Sequence, residues 1–154
     1  FSNHCPSLYG FIPQTYCDKH VCQRARERTE HTHLLGDKDP LDICVLTERT
    51  IFRGDILMTV IPVGGFRMID DNEADDKIIA VLKGDLGYGN TKDISELPPS
   101  YISRLRHYFL TYKHFPNDGM HGEGRTEIAE LYGRQEAHKV IQLAMKDYEE
   151  NFPD

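Results

Sequence analysis

The alternation of apolar and polar positions predicts several short strands in the first half of the chain. Compact apolar or β-branched runs follow one another closely, and turn residues such as Gly54-Asp55 and Gly64-Gly65 separate them. Short strands at this spacing are typical of a small barrel or sandwich. The predicted strands are residues 43–46, 56–63, 66–69 and 77–82, preceded by a short strand or extended turn within 8–16.

Helical periodicity replaces this pattern in the second half of the chain. The dipeptide Pro98-Pro99 is a helix start signal, and apolar side chains then recur at helical spacing as far as Tyr112. A second amphipathic helix carries apolar residues from Ala137 to Tyr148 and ends near Pro153. The hydrophobic pattern therefore predicts the α+β class: a small β-barrel with two main C-terminal helices packed on it.

The composition narrows the classes of function. The chain has 154 residues, of which 39% are hydrophobic and 28% are charged, so we expect one domain spanning residues 1–154. The net charge of -7 argues against a nucleic-acid partner or an acidic membrane surface, because both would repel the chain. The longest apolar run is too short to cross a bilayer. An acidic chain can still bind an anionic substrate when metal ions lie between the two.

The polar stretch 17–36 is predicted to be a surface loop, because its periodicity is weak. It contains Cys17, His20, Cys22, His31 and His33, which raises the alternative of a zinc site. Their spacings match structural zinc modules poorly, so a solvated loop is the better interpretation. The four cysteines of the chain are too scattered for a disulfide scaffold, which favours reduced thiols and a cytoplasmic location.

A run of acidic residues precedes the first strong strand. Asp37, Asp39 and Asp42 stand within six residues, in the segment Gly36-Asp37-Lys38-Asp39-Pro40-Leu41-Asp42. Carboxylates this close repel one another unless they point into water or share a cation. Both a solvated acidic turn and a metal site are open from this run alone.

Two other acidic motifs fit the run less well. An EF-hand loop starting at Asp37 would place Glu48 at its twelfth position, but it would require glycine where Asp42 stands and helices on both sides. A dehalogenase-type aspartyl nucleophile follows a buried strand, whereas these aspartates precede one. Both alternatives are weak.

A second acidic cluster, Asp70-Asp71-Asn72-Glu73-Ala74-Asp75-Asp76-Lys77, lies between two predicted strands. Its position predicts a hairpin-like connection, which taken alone is most often an exposed turn. Two such clusters at strand ends in one small barrel can face each other across a cavity. Carboxylate oxygens, without thiolates or paired histidines, favour magnesium or manganese over zinc.

The first aspartate run resembles the signature of the family I soluble inorganic pyrophosphatases. The resemblance implies an OB-like five-stranded β-barrel with helices, and the hydrolysis of pyrophosphate to two phosphates. It continues in that family's order and covers most of the chain, through the segments Leu8-Tyr9-Gly10-Phe11-Ile12-Pro13, Pro62-Val63-Gly64-Gly65, Glu73-Ala74-Asp75-Asp76-Lys77, His107-Tyr108-Phe109 and Thr111-Tyr112-Lys113.

The resemblance implies a role for five of the aspartates. Asp37, Asp42 and Asp75 would hold the tightest metal ion, Mg²⁺, with Mn²⁺ or other divalent ions as substitutes. Asp42 would bridge to a second ion, and Asp70, with Asp75, would bind metal that arrives with the substrate. Asp39 would be the catalytic general base toward a water held between two metal ions.

The resemblance also implies which residues bind the substrate. Lys77 would balance charge beside the metal site and the phosphates, and Tyr9 would bind the phosphate under attack. Tyr112 and Lys113 would bind the leaving phosphate. The family's chains begin with strands upstream of the segment that matches Phe1, so we expect the barrel formed by residues 1–154 to be incomplete at its N-terminal edge.

Three functions compete at this stage. The first is a phosphohydrolase acting on pyrophosphate as a homo-oligomer, with no nucleic-acid or membrane partner. The second is a catalytically dead homologue that binds metal or phosphate, which the retention of all five aspartates disfavours. The third is an OB-type nucleic-acid binder, which the acidic charge and the lack of a basic aromatic surface disfavour.

Overall fold

The computed structural model describes residues 5–112 and 126–154. In these residues the chain forms one seven-stranded mixed sheet, three α-helices and a short 3-10 helix. In chain order the elements are β1 (Leu8–Phe11), α1 (Lys19–Arg28), β2 (Leu35–Gly36), β3 (Asp42–Leu46), β4 (Val60–Asp70), β5 (Glu73–Ala74), β6 (Lys77–Leu82), the 3-10 helix (Ile94–Glu96), α2 (Pro99–Thr111), β7 (Thr126–Gly133) and α3 (Arg134–Asn151).

Strand β4 is the centre of the sheet. It has 11 residues, so β6 pairs antiparallel with its first part while β7 and the short β5 pair antiparallel with its second part. β3 joins the other side of β6 in parallel, and β1 forms the outer edge antiparallel to β3. A long strand shared among three neighbours lets the sheet curl into a half-barrel. The predicted α+β class is confirmed, with five strands longer than two residues in the described part of the chain.

Two hydrophobic cores lie on the two faces of this sheet. Alternate residues of a strand point to opposite faces, so Ile43 and Val45 of β3 lie in the core that α3 covers. Cys44 and Leu46 lie in the core that α2 covers. A strand buried on both faces needs a continuous apolar run rather than an alternating pattern. The apolar runs 43–46 and 77–82 meet this requirement, and both predicted strands are confirmed.

The two C-terminal helices form where the periodicity predicts them. α2 begins at Pro99, whose missing N–H costs nothing at a first helical position, and it buries Leu105 and Phe109. α3 buries Val140 and Ala144 against the opposite face of the sheet.

The predicted break at Gly64-Gly65 is wrong, because β4 runs through both glycines. A Cβ atom on Gly65 would lie 2.6 Å from the ring of Tyr132, so the glycine makes room for close packing and does not mark a turn. The predicted strand 56–63 is wrong in its first half. β4 begins only at Val60, and the preceding Leu57 is 90% exposed.

The surface loop predicted for residues 17–36 is also wrong, because part of it forms α1. This helix buries Val21, Cys22 and Ala25 on one narrow face, while charged side chains cover the rest. A narrow apolar face gives only weak periodicity. The helix therefore depends on tertiary contacts more than on its own hydrophobic pattern.

The N-terminus of α1 is capped from α3. Asp147, which is fully buried, accepts hydrogen bonds from the backbone N–H groups of Asp18, His20 and Val21 at 2.9–3.0 Å. These are the donors that a helix leaves unsatisfied in its first turn. Asp18 stands at the N-cap position, but its own side chain makes no capping hydrogen bond, so the cap comes from the last helix of the chain.

We expect Asp147→Ala to lower the free energy of unfolding by about 2–4 kcal/mol, because three backbone donors would lose their acceptor. Urea unfolding followed by circular dichroism measures this change. Glu149→Ala, at an exposed position on the same helix, is the matched control and should change stability little. Equal stability of the two variants would show that the cap does not hold α1.

Candidate active site

One cavity of about 320 Å³ opens at the edge of the sheet where β3 and β6 begin. It brings together eight of the nine residues predicted for the site, and the ninth, Lys113, lies outside the described residues. The convergence predicted for the two acidic clusters is therefore what the structure shows. The cavity is lined by Tyr9, Phe11, Asp37, Asp39, Pro40, Asp42, Asp70, Glu73, Asp75, Lys77 and Tyr112.

A buried lysine joins the two clusters. Asp42 is the first residue of β3 and Lys77 is the first residue of β6, and the parallel pairing of these strands sets them side by side. The Lys77 ammonium donates to Asp42 Oδ2 and to Asp75 Oδ1, both at 2.6 Å. The Lys77 side chain is 2% exposed, so these contacts are screened little by water.

A tight turn presents the first acidic cluster. Lys38 has a φ of 61°, which is left-handed, and the N–H of Asp39 donates to Asp37 Oδ1 at 3.0 Å. The same turn is held to Cys17, whose N–H donates to the Asp39 carbonyl and whose carbonyl accepts from the Lys38 N–H. A Cβ atom on Gly36 would lie 2.4 Å from that carbonyl, so glycine is required there.

A two-residue hairpin presents the second acidic cluster. Asp71 and Asn72 have φ values of 49° and 71°, the left-handed pair of a type I′ turn, for which Asp and Asn are well suited. The turn sets Asp70 of β4 opposite Glu73 of β5. Asp70 Oδ1 accepts a hydrogen bond from Thr126 Oγ1 at 3.2 Å. Our sequence prediction did not include Glu73, although its position across a predicted hairpin from Asp70 was the signal for it.

Aromatic side chains form the wall behind the lysine. The Lys77 ammonium lies 5.9 Å from the ring centroids of Tyr9 and Phe109, within reach of a cation–π interaction. Tyr112, at the end of α2, stacks on Tyr108 with ring centroids 5.3 Å apart. Phe11 also lines the cavity and is exposed. The sequence prediction missed Phe109 and Phe11, because a helical or strand aromatic is usually a packing residue.

The crowded charges shift the protonation equilibria of the site. Burial raises the pKa of Asp37 to about 7; a hydrogen bond from the Asp39 N–H opposes this, while the carboxylates of Asp75 and Asp39 add to it. Burial by itself would lower the pKa of Lys77, but the carboxylates of Asp75 and Asp42 raise it above its usual range. The lysine is therefore charged. Its single positive charge is smaller than the negative charge of the carboxylates that line the cavity.

The donor set fits a hard divalent cation, because every candidate ligand is a carboxylate oxygen. Lys77 takes one oxygen of Asp42 and one of Asp75, which leaves the second oxygen of each for another cation. Within residues 5–112 and 126–154, no three acidic, histidine or cysteine side chains already stand close enough to hold an ion. A bound ion would therefore have to draw the carboxylates together.

Comparison with known proteins decides which family carries this arrangement. A family model described as inorganic pyrophosphatase matches residues 1–149. The chain belongs to the inorganic pyrophosphatase family. The inorganic pyrophosphatase of Chlamydia trachomatis is 50% identical over 149 residues, which cover 96% of this chain and 71% of that protein. The one from Haloferax volcanii is 36% identical over 151 residues, or 97% of this chain and 71% of that protein.

Solved structures of pyrophosphatases share the fold. An inorganic pyrophosphatase from Neisseria gonorrhoeae superposes with a TM-score of 0.71 at 30% identity, over 93% of this chain and 69% of that one. A protein described as the inorganic phosphatase of Anaplasma phagocytophilum superposes with a TM-score of 0.73 at 28% identity, over 95% and 72% of the two chains. The OB-like pyrophosphatase fold that the resemblance implied is confirmed. None of the helices in the described residues has the length and apolar character to cross a membrane.

The ion pairs of Lys77 generate a prediction about pyrophosphatase stability. We expect Lys77→Met to lower the free energy of unfolding by about 2–4 kcal/mol without divalent metal, because two carboxylates would face each other unpaired. Urea unfolding in a chelating buffer measures this loss. Added Mg²⁺ should stabilise the variant more than the wild type, since it would replace the lost positive charge.

Lys83→Met is the matched control, because Lys83 is exposed at the other end of β6. It should leave stability and its response to Mg²⁺ unchanged. Wild-type stability of Lys77→Met in the chelating buffer would contradict the role given to the lysine.

Proposed function

We propose that the cavity is the active site in which this chain, as one domain of residues 1–154, hydrolyses pyrophosphate to two phosphates with Asp39 as general base. Membership of the inorganic pyrophosphatase family supports the reaction. The observation that carries the proposal is the convergence of two separate acidic turns on one buried lysine in a single cavity. Two acidic turns that were only solvated would repel each other, so their position in one cavity favours a shared cation.

Four aspartates are proposed to hold the metal: Asp37, Asp42 and Asp75 the tightest ion, and Asp70 with Asp75 the ion that accompanies the substrate. Their oxygens suit Mg²⁺ as the cofactor, with Mn²⁺ as a substitute. When bound, divalent ions cancel phosphate charge and lower the pKa of water toward neutrality. Asp70 ends β4 and Asp42 begins β3, so the two reach the cavity from different strand ends, which supports two ions that share Asp75.

Asp39 is suited to take a proton from water. Asp37 Oδ1 is occupied by the turn, whereas the Asp39 carboxylate receives no hydrogen bond from residues 5–112 or 126–154. Asp39 is exposed to the cavity, so its carboxylate can reach a water there. A general base must first lie within hydrogen-bonding distance of the water whose proton it takes, and its pKa is the second condition.

The substrate would meet hydrogen-bond donors that line the same cavity as the aspartates. Lys77 is charged and partly desolvated, which strengthens its attraction for a phosphate oxygen. Tyr9 and Tyr112 line the same cavity, as hydroxyl donors to the attacked and the leaving phosphate respectively. Lys113 keeps its proposed role at the leaving phosphate on the strength of the sequence motif. The homo-oligomer, the cytoplasmic location and the absence of nucleic-acid and membrane partners stay predictions.

We expect Asp39→Asn to slow phosphate release from pyrophosphate by about 10²–10⁴-fold, the usual scale for loss of a general base. The variant should keep the tightest metal ion, because Asp37, Asp42 and Asp75 remain. Turnover is measured by phosphate release at saturating Mg²⁺, and metal affinity by titration calorimetry without substrate.

Asp55→Asn is the matched control, since Asp55 is exposed and lines a different groove. It should change neither quantity. Asp42→Asn should lose metal affinity, and an equal loss in Asp39→Asn would contradict the division of labour between base and ligands. Metal binding by the wild-type chain without phosphate release would favour the metal-binding homologue instead.

A further inference from the structure

Helix α3 holds the short segment of residues 16–18 that precedes α1. The N–H of Tyr16 donates to the carbonyl of Ala144, and the N–H of Asp18 donates to Asp147 Oδ2, both at 3.0 Å. Both acceptors lie on α3. Asp147 is fully buried and also accepts hydrogen bonds from two N–H groups in the first turn of α1. Both ends of the segment are therefore fixed to one helix.

The middle residue of the segment, Cys17, is fixed to the first acidic turn. Its N–H donates to the carbonyl of Asp39, and its carbonyl accepts from the N–H of Lys38, both at 2.9 Å. The same carbonyl lies so close to Gly36 that a Cβ atom there would be 2.4 Å from it. Two backbone hydrogen bonds in opposite directions fix both the distance and the orientation of the turn. A chain of direct contacts thus runs from α3 through Cys17 to the turn.

The turn places Asp37 and Asp39 in the cavity, whereas Asp147 does not line it. The Asp39 N–H donates to Asp37 Oδ1, so the position of the Asp37 carboxylate follows the backbone of the turn. Groups that only orient a metal ligand still contribute to metal affinity, because a displaced carboxylate binds the ion less well. Asp147 can therefore affect the site without touching it.

We propose that Asp147 is a positioning residue for the active site, because it holds segment 16–18 and, through Cys17, the turn that presents Asp37 and Asp39. This role of Asp147 rests on the proposed function, in which Asp37 binds metal and Asp39 is the general base. Asp147→Asn weakens the cap with almost no change in side-chain volume. Asparagine offers one acceptor oxygen where aspartate offers two, and its NH2 group would face an N–H donor.

The far end of the turn has supports of its own, which limits the expected effect. The carbonyl of Leu41 accepts from the N–H of Ile12, and the N–H of Leu41 donates to Thr15 Oγ1, both at 2.9 Å. These bonds keep Asp42 at the start of β3 whether or not the cap is intact. Loss of the cap should displace the turn but not Asp42, so Mg²⁺ binding should weaken and not disappear.

The matched control for Asp147→Asn is Asp85→Asn in the same full chain. Asp85 is also buried and also accepts hydrogen bonds from three backbone N–H groups. One of these donors is Glu48, which follows the end of β3, whereas the cavity opens where β3 begins. The two variants therefore lose the same kind of capping interaction, and only one of them loses it beside the acidic turn.

Two measurements without substrate compare the variants. Titration calorimetry with Mg²⁺ should show a loss of affinity of about 10-fold in Asp147→Asn and no change in Asp85→Asn. Hydrogen exchange, followed by NMR, should become faster at the Lys38 N–H in Asp147→Asn only, because this N–H donates to Cys17. Urea unfolding should show that both variants lose stability, so that a difference in metal affinity cannot come from stability alone.

A wild-type measurement decides the question where Asp147→Asn fails to fold. If the Asp147 cap raises the affinity for Mg²⁺, bound Mg²⁺ must stabilise the cap, because coupling between two sites is reciprocal. Saturating Mg²⁺ should therefore slow hydrogen exchange at the Val21 N–H, which donates to Asp147. The effect should be larger there than at the Tyr88 N–H, which donates to Asp85.

Unchanged Mg²⁺ affinity in folded Asp147→Asn would overturn the proposal, and so would an equal loss of affinity in Asp85→Asn. An equal effect of Mg²⁺ on the Val21 and Tyr88 N–H groups would overturn it as well. Failure of the proposed function would look different, because the wild-type chain would then release no phosphate from pyrophosphate. The exchange rate of the Lys38 N–H would still show whether Asp147 holds the turn.

Discussion

The rest of the site depends on one buried contact, that of the Lys77 ammonium with the carboxylates of Asp42 and Asp75. A charged lysine that is 2% exposed is tolerated only where opposite charges meet it. The parallel pairing of β3 and β6 supplies one of these charges, and the residue two positions before Lys77 supplies the other. Backbone register and side-chain charge thus specify the same geometry.

The same stretch of chain carries a second buried charge toward the opposite face of the sheet. Asp76 stands between Asp75 and Lys77, directly before β6, and does not line the cavity. It accepts a hydrogen bond from Tyr132 Oη at 2.8 Å and lies near the buried guanidinium of Arg67. Three consecutive charged residues are therefore compatible with a buried position because each face of the sheet provides its own partner.

Arg67 also connects this face to α3 and, through Glu136, to α1, the helix that sequence periodicity did not predict. It donates to Glu130 on β7 and to Glu136 on α3, and α1 adds Arg24 to the same carboxylate of Glu136. Arginine pairs hold the pKa of Glu136 at about 2, with Arg24 the larger cause and burial opposing it. Helix α1 is thus held by Asp147 and by this charged network, neither of which is local to it.

The sequence alone determined the elements whose signals are local. The apolar runs of β3 and β6, the helices that follow Pro99 and Ala137, and the two acidic turns all depend on residues close together in the chain. The two acidic motifs, together with the family resemblance, selected five of the six carboxylates that line the cavity and missed Glu73. Strands, helices and turns that neighbouring residues specify can therefore be predicted from a single sequence.

Only the tertiary structure decided the features that depend on distant partners. It showed a helix within residues 17–36 because the cap comes from Asp147, and a strand through Gly65 because the ring of Tyr132 needs the space. It also placed Phe109 behind Lys77, a contact between α2 and β6 that no spacing in the chain encodes. The free energy that stabilises each of these features comes from contacts between residues far apart in sequence. The local hydrophobic pattern therefore does not predict these features.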